Sequence, residues 1–325
     1  MKRRSILAAA ALSPLATPLG SRQSAAQGSP RFGNMNMFIP AGPGGGWDGL
    51  GRAIEQVSRQ AGLVGNFQFE NVGGAGGIVG LPRFVAQRRG RGDALMVSGS
   101  IMVGAVLTNR SPVGLSSVTP IARMTQEVGV VVVPAQSDIQ DIAGLLAAFR
   151  ANPGGTSVAG GSAGGTDHIT LGLILRALGR NAREGSYVAF AGGGPAQAAI
   201  LGAQVKAGIS GYSEFAEQIK AGRMRALATT GETRSEPNIP TLRESGVDVV
   251  IANWRGVFGA PAINANQKAA LTSFVTDLVA LQAWKDLLET RGWDNAFLAG
   301  PEFERFLAAD IQATEVVLKE LGLAG

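Results

Sequence analysis

Short apolar runs alternate with stretches of helical period along the chain from residue 34 onward. Residues 35–39 form an apolar run of strand length, and a glycine-rich stretch follows. Over 49–60, Leu50, Ile54 and Val57 recur at helical spacing, which predicts an amphipathic helix. The motif then repeats as strand 66–70, a glycine-rich loop, helix 78–87 and strand 94–98, with a further loop at Gly99 and Ser100. Residues 129–134 hold four consecutive valines, a run suited to a strand buried on both faces. Beyond it the pattern predicts helix 139–150, strand 156–159, helix 167–178, strand 186–190 and helix 195–201. Strand 205–209, helix 214–220 and strand 226–229 follow. Strand character returns at 248–253 and 257–260, and the remainder reads as two helices, 266–289 and 301–321. This rhythm predicts parallel βαβ units and an α/β fold. Two strand-rich halves with helices left over predict two lobes. Residues 31–124 and 253–325 form the first, and 125–252 are inserted as the second, so the chain crosses a hinge twice.

The N-terminal segment stands outside this rhythm. Lys2, Arg3 and Arg4 precede an apolar run over 6–19, and Ser24-Ala25-Ala26 supplies small residues, the order of a cleaved export signal ending at residue 26. Pro14 and Pro18 interrupt the run, which is too short to span a membrane. Arg3-Arg4 fits the twin-arginine route, and the general secretory route reads almost the same. The chain carries 29 Lys+Arg and 24 Asp+Glu, a net +5. Four of those bases (Lys2, Arg3, Arg4 and Arg22) and no acid lie in the segment, so beyond it 25 bases face 24 acids, a net +1. No global charge then argues for a nucleic-acid or membrane partner. Zero cysteines exclude disulfides, thiolate metal sites and a cysteine nucleophile, and one histidine argues against zinc. No metal or cofactor is expected.

The 47 glycines gather in a few loops, and these carry the candidate chemistry. In 40–48, glycines placed between a strand and a helix start let backbone N–H groups face an anion without Lys or Arg. Gly44, Gly46 and Gly49 also satisfy a dinucleotide fingerprint, with Glu70 about twenty residues on. Against that reading, Pro40 and Pro43 stiffen the loop and Trp47 crowds the phosphate position. Loop 160–168 repeats the design in the other half. Its Gly160-x-Ser162-x-Gly164 matches a nucleophile elbow, but the only histidine, His168, opens the very next helix. Ser162 and Thr166 serve better as hydroxyl donors, and His168 is either a packed helix-start residue or a donor to a carboxylate. Gly192–Gly194 before Pro195 and the run 73–77 are two more such turns. All four end predicted strands, the edge where open α/β sheets bind ligands.

Six segments in order, PAGPGGGWD (40–48), ENVGGAGG (70–77), GGSAGGTDH (160–168), AFAGGGPA (189–196), GYSEFAEQIKAGRMRALATT (211–230) and NWRGVFGAP (253–261), resemble the Bug family, the periplasmic binding proteins of tripartite tricarboxylate transporters. The GGGWD and GGTDH forms are most similar to its tricarboxylate-binding branch. The resemblance implies a type II periplasmic-binding fold that closes two lobes on a small di- or tricarboxylate and presents it to the membrane subunits of a permease. It implies a periplasmic monomer without catalytic activity. An exported NAD(P)-dependent oxidoreductase and a ligand-presenting sensory accessory are the rival readings. Carried over, Ala41, Gly45 and Asp48 bind from one lobe and Ser162, Gly165, Thr166 and His168 from the other. Gly42, Gly44, Gly46, Trp47, Ser98, Gly164 and Gly193 complete the expected ligand set. Ser100 and Tyr212 are further candidates for the ligand's distal end, and Arg255 is expected in a hinge salt bridge. Trp47 and Asp167 depart from the family's commoner pattern. Asp48 would repel a carboxylate unless it acts as a cap or through water.

Overall fold

A computed structural model describes residues 31–324, so the expected export segment lies outside the described residues. The chain opens as β1 (Phe32–Ile39), α1 (Gly46–Gln60), β2 (Val64–Asn71), α2 (Gly80–Gln87), β3 (Ala94–Gly99) and α3 (Ser100–Thr108). β1 runs parallel to β2 on one side and β3 on the other, as the βαβ pattern requires. Leu50, Ile54 and Val57 of α1 are buried against this sheet.

β4 (Thr119–Pro134) then leaves this unit for the next. There follow α4 (Ile142–Ala151), β5 (Val158–Gly160), α5 (Thr166–Ala177), β6 (Tyr187–Ala189), α6 (Gly193–Leu201), β7 (Ala207–Gly211), α7 (Tyr212–Lys220) and β8 (Met224–Thr229). β5 pairs in parallel with β6 and β7. The chain returns through β9 (Ala252–Gly259), α8 (Ala265–Ala280), α9 (Gln282–Arg291), β10 (Asp294–Ala299) and α10 (Pro301–Glu320).

β4 joins the two units. Its first part pairs antiparallel with β9 and β10, and its second part, the valine run, pairs antiparallel with β7 and β8. One hydrophobic core gathers β1–β3, α1, the start of β4, β9 and the C-terminal helices. Two more lie on opposite faces of the second sheet, one under α4 and α5 and one under α6 and α7. The end of α10 reaches across, where Leu318 and Leu321 pack with Ile169 of α5. Among the described residues no helix is long and apolar enough to cross a membrane.

Four differences from the sequence pattern have physical causes. In place of the loop expected at Gly99 and Ser100, β3 ends at Gly99 and α3 begins at Ser100, its SIMVGAVLT being apolar nearly all round without an amphipathic period. The first part of β4 is interrupted by polar residues whose partners lie far along the chain: Arg123 donates to the Ala296 carbonyl at 2.7 Å and covers Phe306. The helix expected over 266–289 breaks at Leu281, where ψ is 140°. The strand expected over 248–253 begins only at Ala252; Val247 and Val249 are buried there without a ladder.

Candidate functional site

The glycine turns of both units converge. Loop 40–46 at the end of β1, the turn 74–77 after β2, Gly161 and Ser162 after β5, and 191–195 after β6 wall one cavity of about 310 Å³. Every one of these turns follows the carboxyl end of a strand, so the edge shared by the two sheets is where the cavity forms. The two units approach closely here. Gly104 of α3 lies against the carbonyl of Gly164, and Gly76 faces Ser162. No side chain larger than hydrogen fits at Gly104 in this arrangement.

Of the residues singled out in the sequence, Ala41, Gly42, Gly44, Gly45, Gly46, Trp47, Ser162 and Gly193 line this cavity. Six others do not. Asp48 turns back into its own loop, accepting the Gly44 N–H at 3.1 Å and the Asn71 amide at 2.9 Å; the helix cap itself is Gly45, and Asp48 makes no capping bond to the helix. Ser98 is fully buried on β3 and its hydroxyl meets the sulfur of Met102 at 3.2 Å. The Gly164 N–H donates to His168 Nδ1 at 3.1 Å, and the Gly165 N–H to the Ser162 carbonyl at 3.0 Å. Neither amide is free for a ligand. The His168 ring stacks on Tyr187 with centroids 4.3 Å apart, and burial pulls its pKa down to about 4, so it is neutral. Thr166 is buried with its hydroxyl 3.3 Å from Asp167 Oδ1. Of the distal candidates, Ser100 bonds Asn253 and the Trp254 backbone, while Tyr212 lines an adjoining cavity.

Charged side chains also wall the cavity, and of these Glu214 is not among the residues expected from the sequence. Glu214, on the first turn of α7, reaches across the cleft and accepts the Gly46 N–H at the start of α1 at 2.9 Å, while its other oxygen takes the Ser210 hydroxyl. Asp167, on the first turn of α5, accepts the Gly161 N–H at 2.8 Å. Burial, then the nearby acids, raises both: Asp167 to about 7, and Glu214 above its ordinary range. Arg255 on β9 also lines the cavity and forms a buried ion pair with Glu127 of β4, as its expected salt-bridge role required. Ser213 donates to the same carboxylate at 2.5 Å and accepts the Trp293 N–H at 3.2 Å. Glu214 and Asp167 both stand in the first turn of a helix, a position common for acids. Their place opposite another unit's glycines has no local signature.

The chain has relatives among known proteins. A family model described as the tripartite tricarboxylate transporter family receptor matches residues 55–323. Protein BugT of Bordetella pertussis is 25% identical over 295 residues, covering 89% of each chain. The solved structure of the periplasmic binding protein BugD superposes with a TM-score of 0.79 at 21% identity, covering 91% of this chain and 99% of that one. An adipate-bound structure from R. palustris superposes with a TM-score of 0.81 at 21% identity, over 90% of this chain and 98% of that one. These likenesses establish the type II periplasmic-binding fold with its two lobes and intervening cleft.

Proposed function

The chain belongs to the tripartite tricarboxylate transporter receptor family, and from that premise we propose that it is an exported periplasmic receptor that captures a small carboxylate between its lobes. Lobe 1 comprises residues 31–124 and 253–325, and lobe 2 comprises 125–252, with β4 and β9 as the hinge. The closed form is the one a membrane permease reads, so ligand acts by shifting the population toward closure.

The observation that carries this reading is a single cavity walled by glycine turns from both lobes and bridged by the Gly46–Glu214 bond. A ligand there touches both lobes at once, which is the differential contact that closure needs. The start of α1 and the start of α6 both face the cavity and carry partial positive charge for a carboxylate. The adipate-bound structure of similar fold supports the carboxylate class. Removal of water on closure strengthens each N–H···O bond.

A thermal-shift screen tests the proposal with citrate, tricarballylate, isocitrate, malate, succinate, adipate, aspartate, glutamate and nicotinate. A millimolar ligand with a micromolar Kd adds roughly 4 kcal/mol of stability, a rise of several degrees. Flat melting curves across the whole panel refute it.

A further inference from the structure

The cleft is divided in two. Beside the cavity of about 310 Å³ lies a second of about 480 Å³, walled on one side by α7 and on the other by the end of α9 and Trp293. Four residues are common to both walls: Gly44, Gly45, Gly46 and Glu214. The rest of the two linings differs, so these four residues are the partition between the chambers.

Glu214 is the bar of that partition, held at both ends. One carboxylate oxygen accepts the Gly46 N–H of the facing lobe at 2.9 Å. The other takes the hydroxyl of Ser210, which is 3% exposed on β7 of its own lobe. The start of α7 behind it has little room to retreat. Gln197 of α6 donates to the Glu214 carbonyl at 2.9 Å, and the next residue, Phe215, is fully buried. The glycine side is equally fixed. A Cβ on Gly46 would strike the Arg255 guanidinium, which is itself locked in the buried pair with Glu127. The Gly44 N–H is tied to Asp48. In the second chamber the Trp293 N–H bonds Ser213 at 3.2 Å, so the lobes are joined on that side of the bar as well.

A ligand in the first chamber therefore meets Glu214 as an end wall. The first chamber alone is at the small end of the range for ligand pockets, about 300–1,000 Å³. Reaching the second requires the ligand to break the Gly46 and Ser210 bonds to a carboxylate. Hydrogen bonds to charged groups are the stronger kind, each worth about tenfold or more in affinity. Resting on the receptor reading above, we propose that Glu214 sets the length of ligand this chain accepts, by barring the first chamber from the second. Short carboxylates fit against the bar, and long ones are refused. The bar acts through its bulk and its two bonds. Its negative charge repels short and long diacids alike, so charge alone does not discriminate between them.

Calorimetric titration at about pH 8 with succinate, glutarate, adipate, pimelate and suberate tests this, because length varies while charge stays fixed. The parent binds one of the shorter members best, and affinity falls about tenfold or more from that member to suberate. Glu214→Ala and Glu214→Ser each remove the bar, and in whichever folds, as its melting temperature shows, the preferred length moves upward. Suberate there recovers about tenfold or more relative to the parent's best ligand. Glu214→Gln keeps the bulk and an acceptor for the Gly46 N–H, so it shifts all members together and leaves the order of lengths as in the parent. A parent that binds suberate as well as its shorter homologues overturns the proposal. So does a length profile unchanged when the bar is removed, or one relaxed as far by Glu214→Gln as by Glu214→Ala. In each of these cases the carboxylate receptor stands. A parent that binds other members of the thermal-shift panel but no straight-chain diacid, with variants equally blind to the series, overturns the length proposal alone. If nothing in the series or the panel binds the parent, both readings fall.

Discussion

Gly104→Ala places a wedge where the two lobes meet. A Cβ built on Gly104 of α3 comes 2.9 Å from the carbonyl carbon of Gly164 and nearer still to its oxygen. Carbon atoms pack best at about 3.5–4.0 Å, so loop 160–165 must withdraw by roughly an ångström. That loop has little freedom. The Gly164 amide is tied to His168, the Gly165 amide to Ser162, and a Cβ on Gly164 would in turn strike Thr108. Overpacking of this kind costs about 1–3 kcal/mol. Here the cost falls on the closed arrangement, because opening the cleft relieves it. A penalty on the binding-competent state lowers apparent affinity by the same factor, about 5- to 150-fold. The assay pairs calorimetric titration of the best ligand from the screen with small-angle scattering of the unliganded chain. The variant shows a larger radius of gyration than the parent and a weaker Kd, with a melting temperature close to the parent's. Unchanged affinity together with unchanged scattering would refute the reasoning, since the contact would then not belong to closure.

The buried Glu127–Arg255 pair makes a separate prediction. Arg255→Met leaves Glu127 without its partner in a buried site and should cost about 3–5 kcal/mol, roughly 10 °C of melting temperature. Adding Glu127→Gln should restore part of the loss, and a double variant as unstable as the single one would count against the pair. The two perturbed groups of loop 160–168 oppose one another in pH. Burial raises Asp167 to about 7, so its favourable term is present below its unfolded pKa near 3.8 and is lost as pH rises toward 7. Burial lowers His168 to about 4, so its term is present above 6.5 and is lost as pH falls toward 4. Between about pH 4 and 6.5 the slopes cancel in part, each tenfold change in proton affinity being worth about 1.4 kcal/mol. Urea unfolding should show stability rising with pH across that window in Asp167→Asn and falling in His168→Gln. Parallel profiles in the parent and both variants would exclude this account.

The α/β alternation, the glycine turns at strand ends and the run of buried valines in β4 are legible in the amino-acid pattern. Each is a local pattern of period or composition, and local patterns survive without knowledge of partners. One histidine and no cysteine also leave little room for imidazole or thiol chemistry. Which groups face the cleft depends on long-range packing that the pattern does not encode. Gly164, Gly165, Thr166 and His168 share a motif with Gly161, Ser162 and Asp167, yet only the latter three reach the cavity wall, while the Gly164 and Gly165 amides bond within the loop. Glu214 lies 168 residues from the Gly46 amide it accepts, and Arg255 lies 128 from Glu127. Such pairings are set by how β4 and β9 carry one lobe against the other. Periodicity along a chain records which face of an element is buried, and carries no record of what that face is buried against.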